Sequence, residues 1–253
     1  MSVDPLQGLI SIIIPTLNEQ RGIEKTIKSI PRAALIKAGY DLEIIVVDGE
    51  STDTTRDIAS KLGAKVIIEK RKGYGRACKS GFAAARGEII ITLDADNTYP
   101  SESIPSYIQR LSDGNFDFIS INRFSCMEKS AMNLRRKIGN KLLTFVMRLL
   151  YSINIKDSQS GMWVMKKSFI SKIKLRSDDM SISEEIKIIA FRKFKADEVD
   201  GKYYARSGTA KLKEFQDGWK NLTYLLGYRR KLESAILPFS SSAKGKKETL
   251  LSE

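Results

Sequence analysis

Two aspartates separated by one residue give the chain its clearest chemical signal. Asp94 and Asp96 follow a run of mostly β-branched residues, 88–93, that has the composition of a strand. Carboxylates in this position offer oxygen ligands to Mg²⁺ or Mn²⁺, and such an ion can bridge to the phosphates of a substrate. A turn with two solvated aspartates has the same composition, because aspartate favours turns. The pattern indicates a metal site only if other strand ends carry matching residues.

Two other strand-like runs also end in polar residues. Pro15 to Glu19 follow the first run, and Asp48 to Asp53 follow the second. In an open α/β sheet the ligand binds outside the carboxyl ends of the strands, so the three clusters are expected to face one cleft. Asp48 is placed to accept hydrogen bonds from a base or a ribose. The alternative for Asp48, and more strongly for Asp53, is capping of the following helix.

The first half of the chain alternates between strand-like and helix-like segments. Strand-like runs cover residues 9–14, 42–47, 64–68, 88–93 and 116–121, and helix-like segments cover 19–37, 52–62, 74–86 and 101–111. Short β-branched strands joined by crossover helices are typical of a mainly parallel sheet that is buried on both faces. We therefore predict an α/β fold in which Gly63 and Gly87 cap the ends of two helices.

The residue types that are missing limit the chemistry. The chain has no histidine, which removes the commonest general base and the commonest side-chain ligand of transition metals. Any reaction must therefore use carboxylates, cations, hydroxyls and a hard metal ion. Cys78 and Cys126 match neither a disulfide framework nor a zinc pattern, and we expect both to be free thiols in a reducing cytoplasm.

The positive charge is confined to the second half of the chain. Residues 1–120 carry 15 Lys and Arg against 16 Asp and Glu, a net charge of −1, whereas residues 121–253 carry 28 against 14, a net charge of +14. This asymmetry indicates an anionic partner, which could be nucleic acid, anionic lipid head groups or a phosphorylated substrate. A basic protein without such a partner is the alternative.

Residues 132–153 have the periodicity of an amphipathic helix. Its apolar positions are Leu134, Ile138, Leu142, Phe145, Val146, Leu149 and Ile153. Arg136 and Asn140, four residues apart, share the opposite face. The apolar face is either ordinary core or a surface that meets lipid head groups, and the positive charge favours the second interpretation. A second apolar series has the same two interpretations and comprises Leu212, Phe215, Trp219, Leu222 and Leu226.

The sequence predicts contact with a membrane surface without a transmembrane helix. The longest apolar stretch, 142–155, is interrupted by Arg148 and is shorter than the about 20 residues that a span needs. Residues 1–14 lack the pattern of a signal peptide. We therefore expect a cytoplasmic protein that associates peripherally with the cytoplasmic face of a membrane, and a homo-oligomer is left open.

Four motifs in chain order resemble those of family 2 glycosyltransferases with the Rossmann-like GT-A fold. They lie at residues 11–19, 46–53, 72–77 and 93–96, and their pattern is most similar to that of dolichyl-phosphate mannose and glucose synthases. The resemblance implies a nucleotide-sugar site formed by Pro15, Leu17, Asn18, Glu19, Asp48, Asp94, Ala95 and Asp96. It also implies that Asp94 and Asp96 bind Mg²⁺ or Mn²⁺, with Thr98 where a third ligand stands. The chain departs from many members at Asp48, where they have two acidic residues.

The second half resembles the acceptor region of polyprenyl-phosphate glycosyltransferases. The resemblance implies that the acceptor phosphate is bound by Arg123, Arg136, Asn140, Arg206 and Lys211. The three arginines and Asp96 would form the catalytic set. Each guanidinium group can bind two phosphate oxygens at once, so the arginines can align two anionic substrates. Glu184 and Glu185 either position sugar hydroxyls or form a solvated helix face. We expect one catalytic domain, with a donor half at 1–120, an acceptor half with amphipathic helices at 121–239, and a disordered tail at 240–253.

The expected reaction is transfer of a hexose from a GDP- or UDP-sugar to dolichyl or polyprenyl phosphate, with inversion at the sugar carbon. A phosphate monoester is already a nucleophile, so this reaction needs no general base. A family 2 transferase acting on a sugar or protein hydroxyl is the first alternative, but the chain lacks the Glu-Asp and Gln-x-x-Arg-Trp motifs of that chemistry. A non-enzymatic nucleic-acid-binding protein is the second, but no nucleic-acid module is recognisable, so no nucleic-acid partner is expected.

Overall fold

The computed structural model describes residues 8–208, 214–229 and 232. A seven-stranded sheet lies at the centre, in the order β3-β2-β1-β4-β6-β5-β7. Its strands are β1 (Leu9–Thr16), β2 (Asp41–Asp48), β3 (Lys65–Ile68), β4 (Ile89–Thr92), β5 (Phe118–Met127), β6 (Trp163–Lys166) and β7 (Ala196–Tyr203). Only β6 runs antiparallel to its neighbours β4 and β5; the other strand pairs are parallel. The predicted α/β fold with a mainly parallel sheet is confirmed.

Helices cover both faces of this sheet. They are α1 (Ile23–Ser29), α2 (Arg32–Lys37), α3 (Thr55–Lys61), α4 (Tyr74–Ala84), α5 (Ile104–Asp113), α6 (Leu134–Tyr151), α7 (Lys167–Ser171), α8 (Ile182–Lys193) and α9 (Glu214–Tyr228). The helix predicted at 19–37 is divided in two because Pro31, which has no N–H to donate, stands at the N-cap of α2. Gly63 follows α3 with a φ of 76°, the left-handed conformation of a C-terminal cap.

Gly87 has a different role from the predicted one. Helix α4 is capped at Ala85, and a Cβ atom at Gly87 would lie 2.5 Å from the carbonyl oxygen of Leu9. The glycine therefore permits a close approach of two backbones beside β1, and it does not cap the helix.

The sheet is buried on both faces, as its β-branched strands predict. Alternate residues of β1 belong to different core clusters: Ile12 packs in one, and Ile13 in the other. Such strands are stiff and are held from both sides, so the loops at their carboxyl ends start from fixed positions. Cys78 and Cys126 are free thiols, as expected.

Helix α6 packs through a face that the apolar periodicity did not predict. Its buried residues are Leu143, Thr144, Met147 and Tyr151. The predicted apolar series instead faces largely outward, with exposed fractions of 71% at Leu134, 58% at Ile138, 57% at Leu142, 62% at Phe145 and 71% at Leu149. For these five positions the core interpretation is wrong. Ile153, at the end of the series, is buried.

The second apolar series is also divided. Trp219 and Leu226 of α9 are 63% and 60% exposed, whereas Leu225 of the same helix is buried. Leu212 and the side chain of Phe215 lie outside the described residues, as does the predicted tail 240–253. Among the helices that the structure describes, none has the length and apolar character needed to cross a membrane.

Candidate active site

The first two strand-end loops are joined by hydrogen bonds at the carboxyl edge of the sheet. The backbone N–H of Asn18 donates to the Ser51 hydroxyl at 2.7 Å, and the Asn18 side-chain oxygen accepts from the backbone N–H of Thr52 at 2.7 Å. Asn18 has a φ of 51°, a conformation that asparagine tolerates better than most residues. Pro15 pairs with Val47 in the sheet, so the first loop begins at a fixed point.

The third strand-end loop packs against the first through a glycine. A Cβ atom at Gly22, at the start of α1, would lie 2.5 Å from the carbonyl oxygen of Ala95. Only glycine allows this approach, which brings the Asp94–Asp96 segment next to the segment that carries Leu17 and Glu19. Leu17 is 46% exposed at the rim of this region. The structure therefore brings together the three clusters that the sequence placed in one cleft.

Asp48 organises its own loop. Its carboxylate is fully buried and accepts hydrogen bonds from the backbone N–H of Ser51, at 2.8 Å, and from the Ser51 hydroxyl. The Arg56 guanidinium lies 3.7 Å from the same carboxylate. Both oxygens are thus engaged within the loop before α3, but Asp48 does not cap that helix, whose N-cap is Thr54. A direct contact between Asp48 and a nucleotide stays a prediction.

Asp94 is oriented by a tyrosine that sequence reasoning did not select. The Tyr74 hydroxyl donates to Oδ1 of Asp94 at 3.1 Å, whereas Oδ2 accepts no hydrogen bond from any residue that the structure describes. A Cβ atom at Gly161 would lie 2.7 Å from the Tyr74 hydroxyl oxygen, so a glycine is needed there. Burial, followed by the nearby charge of Asp96, raises the pKa of Asp94 to about 6. The signal for Tyr74 was its place between two glycines in the third motif.

Asp96 is held from two sides. The Thr98 hydroxyl donates to its Oδ1 at 2.7 Å, and the Arg206 guanidinium lies 3.0 Å from its Oδ2. Thr98 is buried, so the structure shows it fixing the carboxylate. A direct bond from Thr98 to a metal stays a prediction.

The carboxylate pair fits a divalent cation that is shared with a substrate. No cluster of three or more His, Cys, Asp or Glu side chains that could hold a metal occurs among residues 8–208, 214–229 and 232. Mg²⁺ in particular needs only one or two protein carboxylates when substrate phosphates and water complete its shell. Oδ2 of Asp94 is available to such an ion, and Oδ2 of Asp96 becomes available if Arg206 moves.

Arg206 lies on the donor side of the cleft. The backbone N–H of Ser207 donates to the carbonyl oxygen of Asp96 at 3.0 Å, which places the arginine beside the carboxylates. Its guanidinium forms ion pairs with Asp96 and with Glu19. The resemblance assigned this arginine to the acceptor phosphate, whereas the structure shows it joined to two predicted donor residues. Lys211, predicted in the same loop, lies outside the described residues.

Arg123 does not fit its predicted role. It is 3% exposed, and Nε and one terminal nitrogen donate to the two carboxylate oxygens of Asp157 at 2.7 and 2.8 Å. The ring of Tyr203 lies 5.3 Å from the guanidinium carbon. A side chain that is buried and bound in this bidentate way is not presented to an acceptor phosphate, so we correct its role to that of a structural ion pair.

Arg136 is the predicted acceptor arginine that remains available. It lies in the first turn of α6, is half-buried, and its guanidinium has no ion pair or hydrogen bond with the described part of the chain. Asn140, one turn later, donates to the Met132 sulfur at 3.6 Å. Of the predicted acceptor arginines, Arg136 is thus the one whose guanidinium has no partner among the described residues.

Glu184 and Glu185 are buried, so the solvated-face interpretation is wrong. Oε1 of Glu184 accepts from the Gln159 side chain at 2.7 Å, but Oε2 has no hydrogen-bond partner within the described part of the chain. Burial raises the pKa of Glu184 to about 8, so this carboxyl is mainly protonated at neutral pH. Glu185 accepts from the backbone N–H of Ser177 at 2.8 Å and so fixes the loop before α8.

The architecture matches solved structures with the GT-A fold. Glucosyl-3-phosphoglycerate synthase from Mycobacterium tuberculosis, in complex with phosphoglyceric acid, superposes with a TM-score of 0.70 over 86% of this chain and 78% of that chain, at 21% sequence identity. Its complex with Mn²⁺, uridine diphosphate and phosphoglyceric acid gives a TM-score of 0.69 over 87% of this chain and 78% of that chain, at 22% identity. At such identities the likeness shows the fold alone.

The sequence comparison shows the family. Residues 11–174 match the model of glycosyl transferase family 2, and the chain belongs to that family. The dolichyl-phosphate hexose transferase of Haloferax volcanii is 30% identical over 83% of this chain and 89% of its own length. The low-salt glycan biosynthesis hexosyltransferase Agl6 of the same organism is 33% identical over 86% of this chain and 53% of its own length. The dolichol-phosphate mannosyltransferase of Pyrococcus furiosus is 32% identical over 71% of this chain and 52% of its own length. The chain therefore spans about half the length of the last two.

Proposed function

We propose that this protein is a metal-dependent, inverting glycosyltransferase that moves a hexose from a GDP- or UDP-sugar to dolichyl or polyprenyl phosphate. The observation that carries the proposal is the pair Asp94 and Asp96 at a strand end, in contact with an arginine from the second half of the chain. Relatives named for transfer to dolichyl phosphate support the class of acceptor.

The donor would lie across the loops that carry Glu19 and Asp96. Asp94 and Asp96 would hold Mg²⁺ or Mn²⁺, which would supply positive charge to the leaving diphosphate. Tyr74 and Thr98 fix one oxygen of each carboxylate, so the other oxygen of each points in a defined direction. These hydroxyls would reduce the movement of the two carboxylates that binding of the metal ion requires.

The acceptor phosphate would meet cations from the second half. Arg136 is available for it, and Arg206 would become available when a divalent cation takes its place at Asp96. Two guanidinium groups would screen the repulsion between the acceptor phosphate and the donor diphosphate and would align them for attack. Transfer to a hydroxyl would instead need a general base, and the chain lacks the motifs that supply one.

The exposed apolar face of α6 would bring the protein to the cytoplasmic face of the membrane, where a polyprenyl phosphate resides. This helix carries five Lys or Arg residues and no Asp or Glu. Exposed apolar side chains flanked by cations are typical of a helix that lies in the head-group region of an anionic bilayer. Trp219 and Leu226 of α9, which packs on α6, would extend this surface.

A transfer assay tests the proposal. The protein would be incubated with Mn²⁺, dolichyl phosphate and each of several radiolabelled nucleotide sugars, and we expect label from one donor to enter the lipid. Asp96→Asn, which removes an anionic ligand, should lower the rate by about 10²- to 10³-fold. Asp113→Asn, at an exposed position of α5, is the matched control. Transfer to sugar hydroxyls but not to lipid phosphate, or full activity in excess EDTA, would contradict the proposal.

A further inference from the structure

A cationic cavity lies beside α6. It has a volume of about 370 Å³ and lies between α6 and the end of β5. Its wall includes the cations Lys141, Arg148 and Lys156 and the rings of Phe124 and Phe145. None of the residues predicted to bind donor, metal or acceptor lines it. Its lining residues are therefore distinct from the predicted site residues, but Asn122 and Phe124 flank Arg123, and Lys141 follows Asn140 in the chain.

The charge of this cavity is largely uncompensated. Lys156 lies 3.6 Å from Asp200, but neither Lys141 nor Arg148 forms a side-chain ion pair or hydrogen bond with a described residue. Lys141 and Arg148 are seven residues apart, about two helical turns, so they lie on the same side of α6. Two free cations on one wall attract an anion with several oxygens, and the guanidinium group favours phosphate.

A groove of mixed polarity continues from this cavity. The groove, of about 680 Å³, shares Phe145 and Arg148 with the cavity and is also lined by Leu149, Ser152, Ile153 and Asn154. Leu149 is 71% exposed and Phe145 is 62% exposed. Cations beside two exposed apolar side chains suit an amphiphile, with a phosphate at one end and an alkyl chain at the other.

We propose that this cavity and groove bind an anionic membrane phospholipid, with its phosphate head group between Lys141 and Arg148 and an acyl chain along Phe145 and Leu149. The bound lipid is an anchor, because the cavity contains neither of the aspartates at which transfer would occur. It fixes α6 at a defined rotation on the bilayer. This inference rests on the membrane docking in the proposed function.

Vesicle binding tests the site. Wild type should sediment with vesicles of equimolar phosphatidylglycerol and phosphatidylcholine. Lys141→Gln with Arg148→Gln should bind them about 30-fold more weakly, since each cation near an anionic surface contributes about 1 kcal/mol. The control is Lys37→Gln with Lys61→Gln, which removes the same charge from exposed positions of α2 and α3 at the other edge of the sheet. Equal weakening in both double variants would show that only net charge matters, and the proposal would be wrong.

Two further measurements separate this site from other phosphate sites. Calorimetry with inorganic phosphate should show no binding that depends on Lys141 and Arg148 at concentrations where vesicles saturate. If phosphate alone binds there and vesicle binding of the double variant is unchanged, the ligand is a free phosphate and the lipid proposal is overturned. Circular dichroism should be the same for all variants, because the changed side chains are exposed. Lys141→Gln alone, which should weaken vesicle binding about 5-fold, provides a milder second variant.

Transfer to a short-chain, water-soluble polyprenyl phosphate distinguishes this inference from the proposed function. The Lys141 and Arg148 double variant should transfer hexose to that acceptor at the wild-type rate in the absence of vesicles. Loss of this activity in the double variant but not in wild type would mean that the cavity binds the acceptor. That result would contradict the proposal that the bound lipid is an anchor. If wild type itself transfers no sugar but the vesicle results hold, the proposed acceptor is wrong and the lipid site stands.

Discussion

At the scale of single residues, the two key carboxylates are fixed by neutral hydroxyl groups. Tyr74 donates to Asp94, and Thr98 donates to Asp96. The sequence located both aspartates because they share one motif. It could not find Tyr74, which is 20 residues upstream and meets Asp94 only after α4 has packed on β1 and β2. Similarly, spacing could not reveal that Asp157 takes the guanidinium of Arg123.

Replacing Tyr74 with Phe tests the first of these supports. The change removes one hydroxyl and leaves Oδ1 of Asp94 without its donor, so the carboxylate is less well oriented. We expect Mn²⁺ affinity, measured by electron paramagnetic resonance, to fall about tenfold or more, the usual effect of losing a group that orients a metal ligand. Tyr40→Phe removes the same atom from a buried residue outside the cleft and should have no effect. Unchanged Mn²⁺ binding in Tyr74→Phe would show that Asp94 needs no such support.

The buried carboxyl of Glu184 makes stability depend on pH. Its pKa is raised to about 8 in the folded protein and is 4.5 as a free group. Between these values the folded state retains a proton that the unfolded state has lost, so the free energy of unfolding falls as pH rises, by up to about 1.4 kcal/mol per pH unit. Glu184→Gln should flatten this decline in urea titrations from pH 5 to 8, whereas Glu88→Gln, at an exposed site, should keep it. Parallel curves for wild type and Glu184→Gln would contradict the raised pKa.

At the scale of elements, periodicity identified helices and strands better than it identified their partners. The spacing of apolar residues predicted α6, but it could not say whether its apolar face meets protein or solvent, since both produce the same pattern. No strand was predicted after residue 121. β6 has only four residues, and β7 (Ala196–Tyr203) lies at the edge of the sheet with charged residues along it. Both strands are defined by pairing with β5, which local sequence does not encode.

The outward face of α6 leads to a prediction about folding and binding together. Replacing Leu142, Phe145 and Leu149 with Ser should leave the melting temperature within a few degrees of wild type, because all three side chains are largely exposed. The same variant should lose the part of vesicle binding that resists high salt, which depends on apolar insertion. Leu143→Ala, at the buried residue next to Leu142, should instead lower the free energy of unfolding by about 2 to 5 kcal/mol. If the triple Ser variant unfolds, or binds vesicles in high salt like wild type, this face is not the docking surface.

At the scale of the whole molecule, the two halves differ in charge and share one sheet. Residues 1–120 have a net charge of −1 and residues 121–253 a net charge of +14, while β4 of the first half pairs with β6 of the second. The sequence predicted this division of charge. It did not predict that an arginine of the basic half, Arg206, would bind Glu19 and Asp96 of the other, because a motif gives a residue's type and not its partner.

Arg206 therefore links the halves and competes with a metal ion for Asp96. A divalent cation that takes Oδ2 of Asp96 must displace the guanidinium, which lies 3.0 Å from that atom. In the absence of nucleotide, Arg206→Gln should thus increase the affinity for Mn²⁺. The increase should be about fivefold if the lost ion pair contributes about 1 kcal/mol. The same variant should raise the concentration of lipid phosphate needed for half-maximal transfer, since a cation for the acceptor is lost. Arg110→Gln breaks an ion pair with Asp197 outside the cleft and should change neither quantity. Weaker Mn²⁺ binding in Arg206→Gln would mean that the arginine organises the carboxylates for the metal and does not compete with it.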